Sequence, residues 1–222
     1  SRIDGGFEVT ADDGESYRAR AVIAATGKRP RMLGVPGEEQ FKGRGVTYCS
    51  VCDGPIFSGQ KVAVIGGGNA ALEAIDDMTK IAEHIYVISV TPFTGDRVLI
   101  DRVQAADNLT LFLEHEVLSI YGDKLVDGIE IRDLKGGEVK KIASSGIFVE
   151  IGLLPNSEPF KGVAELNDNG EIVVDCHNET IVPGLFAAGD VTNVPEKQIV
   201  VAAGEGAKAA LQAHKYLQRL LS

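Results

Sequence analysis

Four apolar residues followed at once by a glycine run set the strongest constraint on this chain. Val62-Ala63-Val64-Ile65 reads as a strand buried on both faces, and Gly66-Gly67-Gly68-Asn69-Ala70-Ala71 follows with no spacer. After it Leu72, Ile75, Met78, Ala82 and Ile85 recur at roughly helical spacing, and residues 85–89 begin another apolar strand. The pattern predicts a β-α-β unit. Further strand candidates at 109–112, 128–133 and 146–151 extend it into an α/β domain that ends near Pro155.

The glycine spacing Gly66-x-Gly68-x-x-Ala71 between a strand and a helix is the context a dinucleotide site requires. Gly66 makes the tight turn, Gly68 lets the backbone approach a pyrophosphate, and Ala71 is small enough for close packing of helix on strand. Asn69 and Ala70 open the helix, whose unpaired N–H groups face the phosphates. A second match, Gly204-Glu205-Gly206-Ala207-Lys208-Ala209, has no strand before it and is read as helix. An acid on the ribose is expected at the end of the second strand. Ser89 stands there, with Arg97 the nearest base, so neither the usual NAD acid nor the NADP cluster is present.

Cys49-Ser50-Val51-Cys52 places two thiols three positions apart, close enough for a readily exchanged disulfide. Asp53 follows and is placed to pass a proton to a leaving thiolate if partial burial raises its pKa. Zinc needs two more ligands. Cys176 and His177 point to opposite faces if they lie on a strand, which argues against it. Cys176 is otherwise read as an inert core cysteine, and His84, His115 and His214 as histidines without evident partners.

The net charge of −10 and pI near 4.9 disfavour nucleic acid and anionic membranes as partners. No run approaches the roughly 18 apolar residues of a membrane helix, and no leader-like segment opens the chain. A cytoplasmic protein is expected. Residues 1–27 read as an antiparallel meander with a turn at Asp12-Asp13-Gly14 and an apolar strand at 21–25. Pro30, Pro36 and Lys42-Gly43-Arg44-Gly45 mark a linker. The last part holds a strand at 172–175, the strand-turn Leu185-Phe186-Ala187-Ala188-Gly189-Asp190, and a helix over 198–220 that packs through Val201, Ala209, Ala213, Tyr216, Leu217 and Leu220.

Taken in order, Gly43 through Val46, Cys49 through Gly54, Val62 through Ala71, Gly184 through Asp190 and Lys197-Gln198-Ile199 resemble the thioredoxin reductase family. Gly152-Leu153-Leu154-Pro155-Asn156 and Pro195 through Ile199 are more similar still to its alkyl hydroperoxide reductase flavoproteins. The resemblance implies a Rossmann-like nicotinamide domain, residues 42–156, inserted into an incomplete FAD-binding domain formed by 1–41 and 157–222. It implies that Thr26 and Gly27 lie beside the flavin nucleotide, that Gly189 and Asp190 hold the pyrophosphate and ribityl part, and that Lys197, Gln198 and Ile199 line the isoalloxazine. It implies FAD with NADH or NADPH, overall similarity favouring NADH, and electron flow through Cys49–Cys52 to a thioredoxin-like, glutaredoxin-like or peroxiredoxin partner by a homodimer. In the family an FAD β-α-β unit precedes the point where this chain begins. Weak FAD binding by this polypeptide alone is therefore expected, with a non-catalytic nucleotide-binding fragment or one subunit of a two-chain reductase as the alternatives.

Overall fold

A computed structural model describes residues 1–221. They divide into two compact units, one of residues 30–152 and the other of residues 1–29 with those from 153 onward.

In the unit of residues 30–152, a five-stranded parallel sheet runs in the order Val46–Thr47, Gly146–Val149, Lys61–Ile65, His84–Ser89 and Leu109–Leu113. Strand alternation decides what each face touches. Val62, Val64, Ile85, Val87 and Phe148 point to one side, where Leu72, Ile75 and Met78 of the helix Asn69–Thr79 cover them. Ala63, Ile65, Ile88, Ile147 and Val149 point to the other, against Ile129, Ile131 and Ile142. Those three belong to a second, antiparallel sheet of His115–Gly122, Val126–Asp133 and Val139–Ala143. The apolar run around Val64 is continuous because both faces are buried.

The boundaries at 41 and 156 expected from sequence differ from this division. The segment after Pro30 packs with the parallel sheet: Phe41 joins its core, Ile120 donates its N–H to Pro36 O, and Glu38 accepts the N–H groups of Leu33 and Gly34. The expected linker also contains the short helix Glu38–Phe41. The strands His115–Gly122 and Val139–Ala143 and the helix Arg97–Gln104 go unread in the sequence; the helix is only eight residues long and buries Val103 alone.

The other unit opens with the antiparallel meander Arg2–Ile3, Gly6–Thr10 and Ser16–Ala19. The apolar strand expected to complete it, Val22–Ala24, instead pairs in parallel with Leu185–Ala187. The strand expected at 172–175 is absent: Ile172 makes single bridges to Leu166 and Thr192, and Asp175 begins a turn in which its carboxylate takes the N–H groups of His177 and Glu179. The long helix Ile199–Arg219 buries Glu205, Ala209 and Ala213 at intervals of one turn, beside Phe186 and Ala188. Leu220, expected on the packed face, is exposed.

Candidate active site

The glycine cradle forms the wall of a cavity of about 580 Å³ in the unit of residues 30–152. Gly66, at φ 141°, accepts no side chain: a Cβ there would lie 2.3 Å from Glu150 O and 2.9 Å from the Ala71 Cβ. A Cβ at Gly67 would lie 2.6 Å from the Ser89 hydroxyl oxygen, a constraint the G-x-G spacing does not reveal. Gly68 meets only Thr94 Oγ1, at 4.0 Å, so a side chain there would project into the cavity. No side chain caps the helix Asn69–Thr79. Its first N–H groups are left for a ligand, and the bare glycine surface beside them fits a pyrophosphate.

Of the residues expected at the nucleotide, Gly66, Gly68, Asn69, Ala70 and Ser89 line this cavity, while Ala71 lies fully buried beneath it. The Asn69 carboxamide is engaged elsewhere, with Asp96 N at 2.7 Å and Asp96 Oδ2 at 3.1 Å, so it clasps the loop after Ser89 and leaves its backbone to the ligand. His115, which the sequence leaves without a partner, also lines the cavity with its Nδ1 2.8 Å from Leu113 O. His84 likewise has a partner, the Thr110 hydroxyl at 2.8 Å. Neither Lys nor Arg lines the cavity.

Cys49 and Cys52 form a disulfide across the first turn of the helix Ser50–Asp53. Cys49 is the N-cap, and its sulfur accepts the Cys52 N–H at 3.2 Å. Cys52 and Val51 are exposed, whereas Cys49 is partly buried. The buried Thr47 hydroxyl donates to the Asp53 carboxylate and accepts the Cys49 N–H at 3.3 Å, so one threonine fixes both residues. Thr47 is not legible in the sequence, because nothing in the linear order of Thr47 and Asp53 shows that the turn brings them together. Glu150, equally hidden, accepts the Ser50 N–H at 3.2 Å and lines the nucleotide cavity. Burial pushes its carboxyl up to about 7 against the hydrogen bonds from Ser50, and the charge of Glu73 adds to the rise.

In the other unit, Thr26 and Gly189 follow the paired strands Val22–Ala24 and Leu185–Ala187. Thr26 donates its hydroxyl to Asn156 O at 2.6 Å, and Gly27 O accepts the Asn156 N–H at 2.9 Å, so both are tied by Asn156. Gly189, at φ 75°, donates its N–H to the buried Glu205 carboxylate at 2.9 Å, and Asp190 follows on the partly exposed turn. Lys197 is held by Thr192 O at 2.6 Å and by Glu171 at 3.2 Å. Gln198 is exposed, and Ile199 and Val200 are 90% and 78% exposed at a helix start with no side-chain cap. Apolar surface beside free N–H donors fits a flat ring with polar edges. Cys176, expected in a core, is exposed in the turn after Asp175.

The Cys49–Cys52 disulfide and the glycine-lined cavity lie in the same unit. The model of the pyridine nucleotide-disulphide oxidoreductase family matches residues 2–206. The chain belongs to this family. Within it, the chain is 46% identical over 220 residues to the F subunit of alkyl hydroperoxide reductase from Escherichia coli (strain K12), covering 98% of this chain and 42% of that protein. It is 45% identical over 214 residues to the NADH dehydrogenase of Bacillus subtilis (strain 168), covering 96% and 42%. The crystal structure of thioredoxin reductase from Streptococcus pyogenes MGAS5005 matches with a TM-score of 0.86 at 37% identity, over 95% of this chain and 69% of that one. The chain therefore spans about two fifths of the length of the curated relatives it matches. Among the described residues no helix is long and apolar enough to cross a membrane.

Proposed function

We propose that this chain carries the dinucleotide cleft and exchange disulfide of an NADH-dependent, flavin-linked disulfide reductase. Its electrons go to a disulfide on a thioredoxin-like, glutaredoxin-like or peroxiredoxin partner. The observation that carries the proposal is the Cys49–Cys52 disulfide beside an uncapped glycine cradle in one compact unit. NADH is favoured over NADPH because no Lys or Arg lines the cavity to meet a 2′-phosphate. Residues 30–152 serve as the nicotinamide domain, and the other unit as part of the FAD domain. From the resemblance alone, the assembly proposed is a cytoplasmic homodimer.

When bound, the dinucleotide supplies a hydride and the flavin relays its two electrons to the disulfide. Gly66, Gly68 and the N–H groups of Asn69 and Ala70 would hold the first, and the Gly189–Asp190 turn with Gln198 and Ile199 would hold the second. The residues of this chain perform the exchange. The Cys52 N–H stabilises a thiolate on Cys49, which makes Cys49 the sulfur that attacks the partner and leaves Cys52 to face the flavin. Attack of the Cys49 thiolate breaks the partner S–S bond and expels one partner thiolate, which is protonated. Cys52, once deprotonated, then attacks Cys49 in the mixed disulfide, releases the second partner thiolate and restores Cys49–Cys52. Two electrons and two protons pass to the partner. Asp53, held by Thr47, is placed to carry a proton in these steps.

The test uses the natural protein supplemented with FAD, reduced with NADH without oxygen and probed by thiol labelling. Two new labels on Cys49 and Cys52 are expected, with loss of partner reduction by more than a hundredfold, on the order of a catalytic nucleophile's removal, in Cys49→Ser. A long-wavelength thiolate-to-flavin absorption band is expected in Cys49→Ser and not in Cys52→Ser. The reverse pattern would exchange the two cysteine roles. Nucleotide binding with no thiol reduction would sink the reductase reading and favour a non-catalytic binding protein.

A further inference from the structure

Glu150 belongs to two sites at once. Its carboxylate takes the first N–H of the disulfide helix, from Ser50, at 3.2 Å. Its backbone shapes the cradle, since its N–H donates to Ile65 O at 2.8 Å and its carbonyl oxygen is what forbids a side chain at Gly66. The residue follows the strand Gly146–Val149, which borders Lys61–Ile65 on the side opposite His84–Ser89. The sheet order therefore reverses there, and a dinucleotide lies across such a crevice with its adenosine ribose at the end of the second strand. With the pyrophosphate at the helix start, the nicotinamide half is directed over the strand that leads to Glu150.

Resting on the dinucleotide reading above, we propose that Glu150 is a positioning residue that links the nicotinamide end of the cleft to the Cys49–Cys52 disulfide. Ionised, it favours the oxidised dinucleotide, whose pyridinium ring is positive. Protonated, it favours neither form. No Lys or Arg lines the cavity to fix its charge, and its pKa, pushed up to about 7 by burial, leaves it free to change at neutral pH. The titratable groups on the elements packed around it are Glu73 on the helix Asn69–Thr79, Cys49 at the cap of the disulfide helix, Cys52 and Asp53 within it, and His115, which lines the same cavity. Reduction of the disulfide adds a thiolate at that helix and pushes Glu150 towards its protonated form. The pyridinium pulls it the other way. The linkage is reciprocal, so NAD+ is held while the disulfide is oxidised and loosened once it is reduced.

Calorimetric titration of the 222-residue chain with NAD+ and with NADH at pH 6 and pH 8 tests this. The carboxylate is charged above its folded pKa, so the ratio of NAD+ to NADH affinity should rise with pH, by about fivefold in the oxidised protein. Reducing the disulfide at pH 7 should lower NAD+ affinity severalfold. Both effects should vanish in Glu150→Gln, which keeps an oxygen for the Ser50 N–H and leaves His115 in place, and should return in part in Glu150→Asp. A flat ratio in the wild type, or an unchanged pH dependence in Glu150→Gln, overturns the linkage while leaving the dinucleotide reading intact. Failure of the folded wild type to bind either nucleotide overturns that reading first, and the linkage with it.

Discussion

Glu171 is buried and Glu150 partly buried, one in each unit, and they end on opposite sides of the ordinary carboxylate range. Glu171 is 7% exposed and lies between two ammonium groups, Lys28 at 2.6 Å and Lys197 at 3.2 Å, with the Asn167 amide at 2.7 Å. Burial pushes its carboxyl up, but the hydrogen bonds from Lys28, Asn167 and Lys197 outweigh that and bring it down to about 2. Glu150 receives only N–H and hydroxyl hydrogen bonds from Ser50 and faces another acid, so burial wins. Desolvation alone does not set the state of a buried carboxyl. The number of cations within reach does. Glu171 is locked as a structural anion, whereas Glu150 is left able to change charge beside the disulfide.

The largest effect that would break this contrast is removal of a cation from the locked side. Lys28→Met leaves Glu171 buried with one ammonium, and the cost of an uncompensated buried charge is about 2–3 kcal/mol of stability once partial exposure is allowed for. Urea unfolding at pH 7 measures it, and a loss below about 0.5 kcal/mol would show that the pair is no more than a surface contact.

How far each carboxylate is legible in the sequence follows from the same physics. The parallel sheet and the cradle are readable because their information is local: Val62 through Ile65 is buried on both faces, and Gly66 stands where a Cβ would strike Glu150 O. The disulfide is readable for the same reason, both sulfurs lying within one turn. Thr47, Glu150 and Glu171 are not. Each gains its role from a partner that folding supplies: Asp53 across a turn, Ser50 at 100 residues' separation, and Lys28 at 143. Val22–Ala24 reads as a strand but in the wrong place, because its apolar residues say that it is buried and not that Leu185–Ala187 is its neighbour. Cys176 misleads because a cysteine is more often buried than not, and only the turn made by Asp175 brings it out.

A smaller effect, opposite in sign for the two residues, sharpens the comparison through pH. Glu171 has a folded pKa below its unfolded value, so its contribution is full above about 4.5 and is lost as pH falls towards 2. Glu171→Gln should therefore cost about 1–2 kcal/mol at pH 7 and little at pH 2. Glu150 has a folded pKa above its unfolded value, so the wild type is penalised as pH rises from about 4.5 to 7 and no further beyond. Glu150→Gln should match the wild type at pH 4 and exceed it by about 1–2 kcal/mol at pH 8, partial exposure having reduced the full shift. Denaturant unfolding of the three proteins across pH 2 to 8 decides the matter. Curves that move in the same direction for both variants would mean that burial, and not the supply of cations, governs the two sites alike. A stabilised Glu150→Gln that has also lost its NAD+ linkage would show the penalty at this position to be the cost of keeping a carboxyl able to change charge.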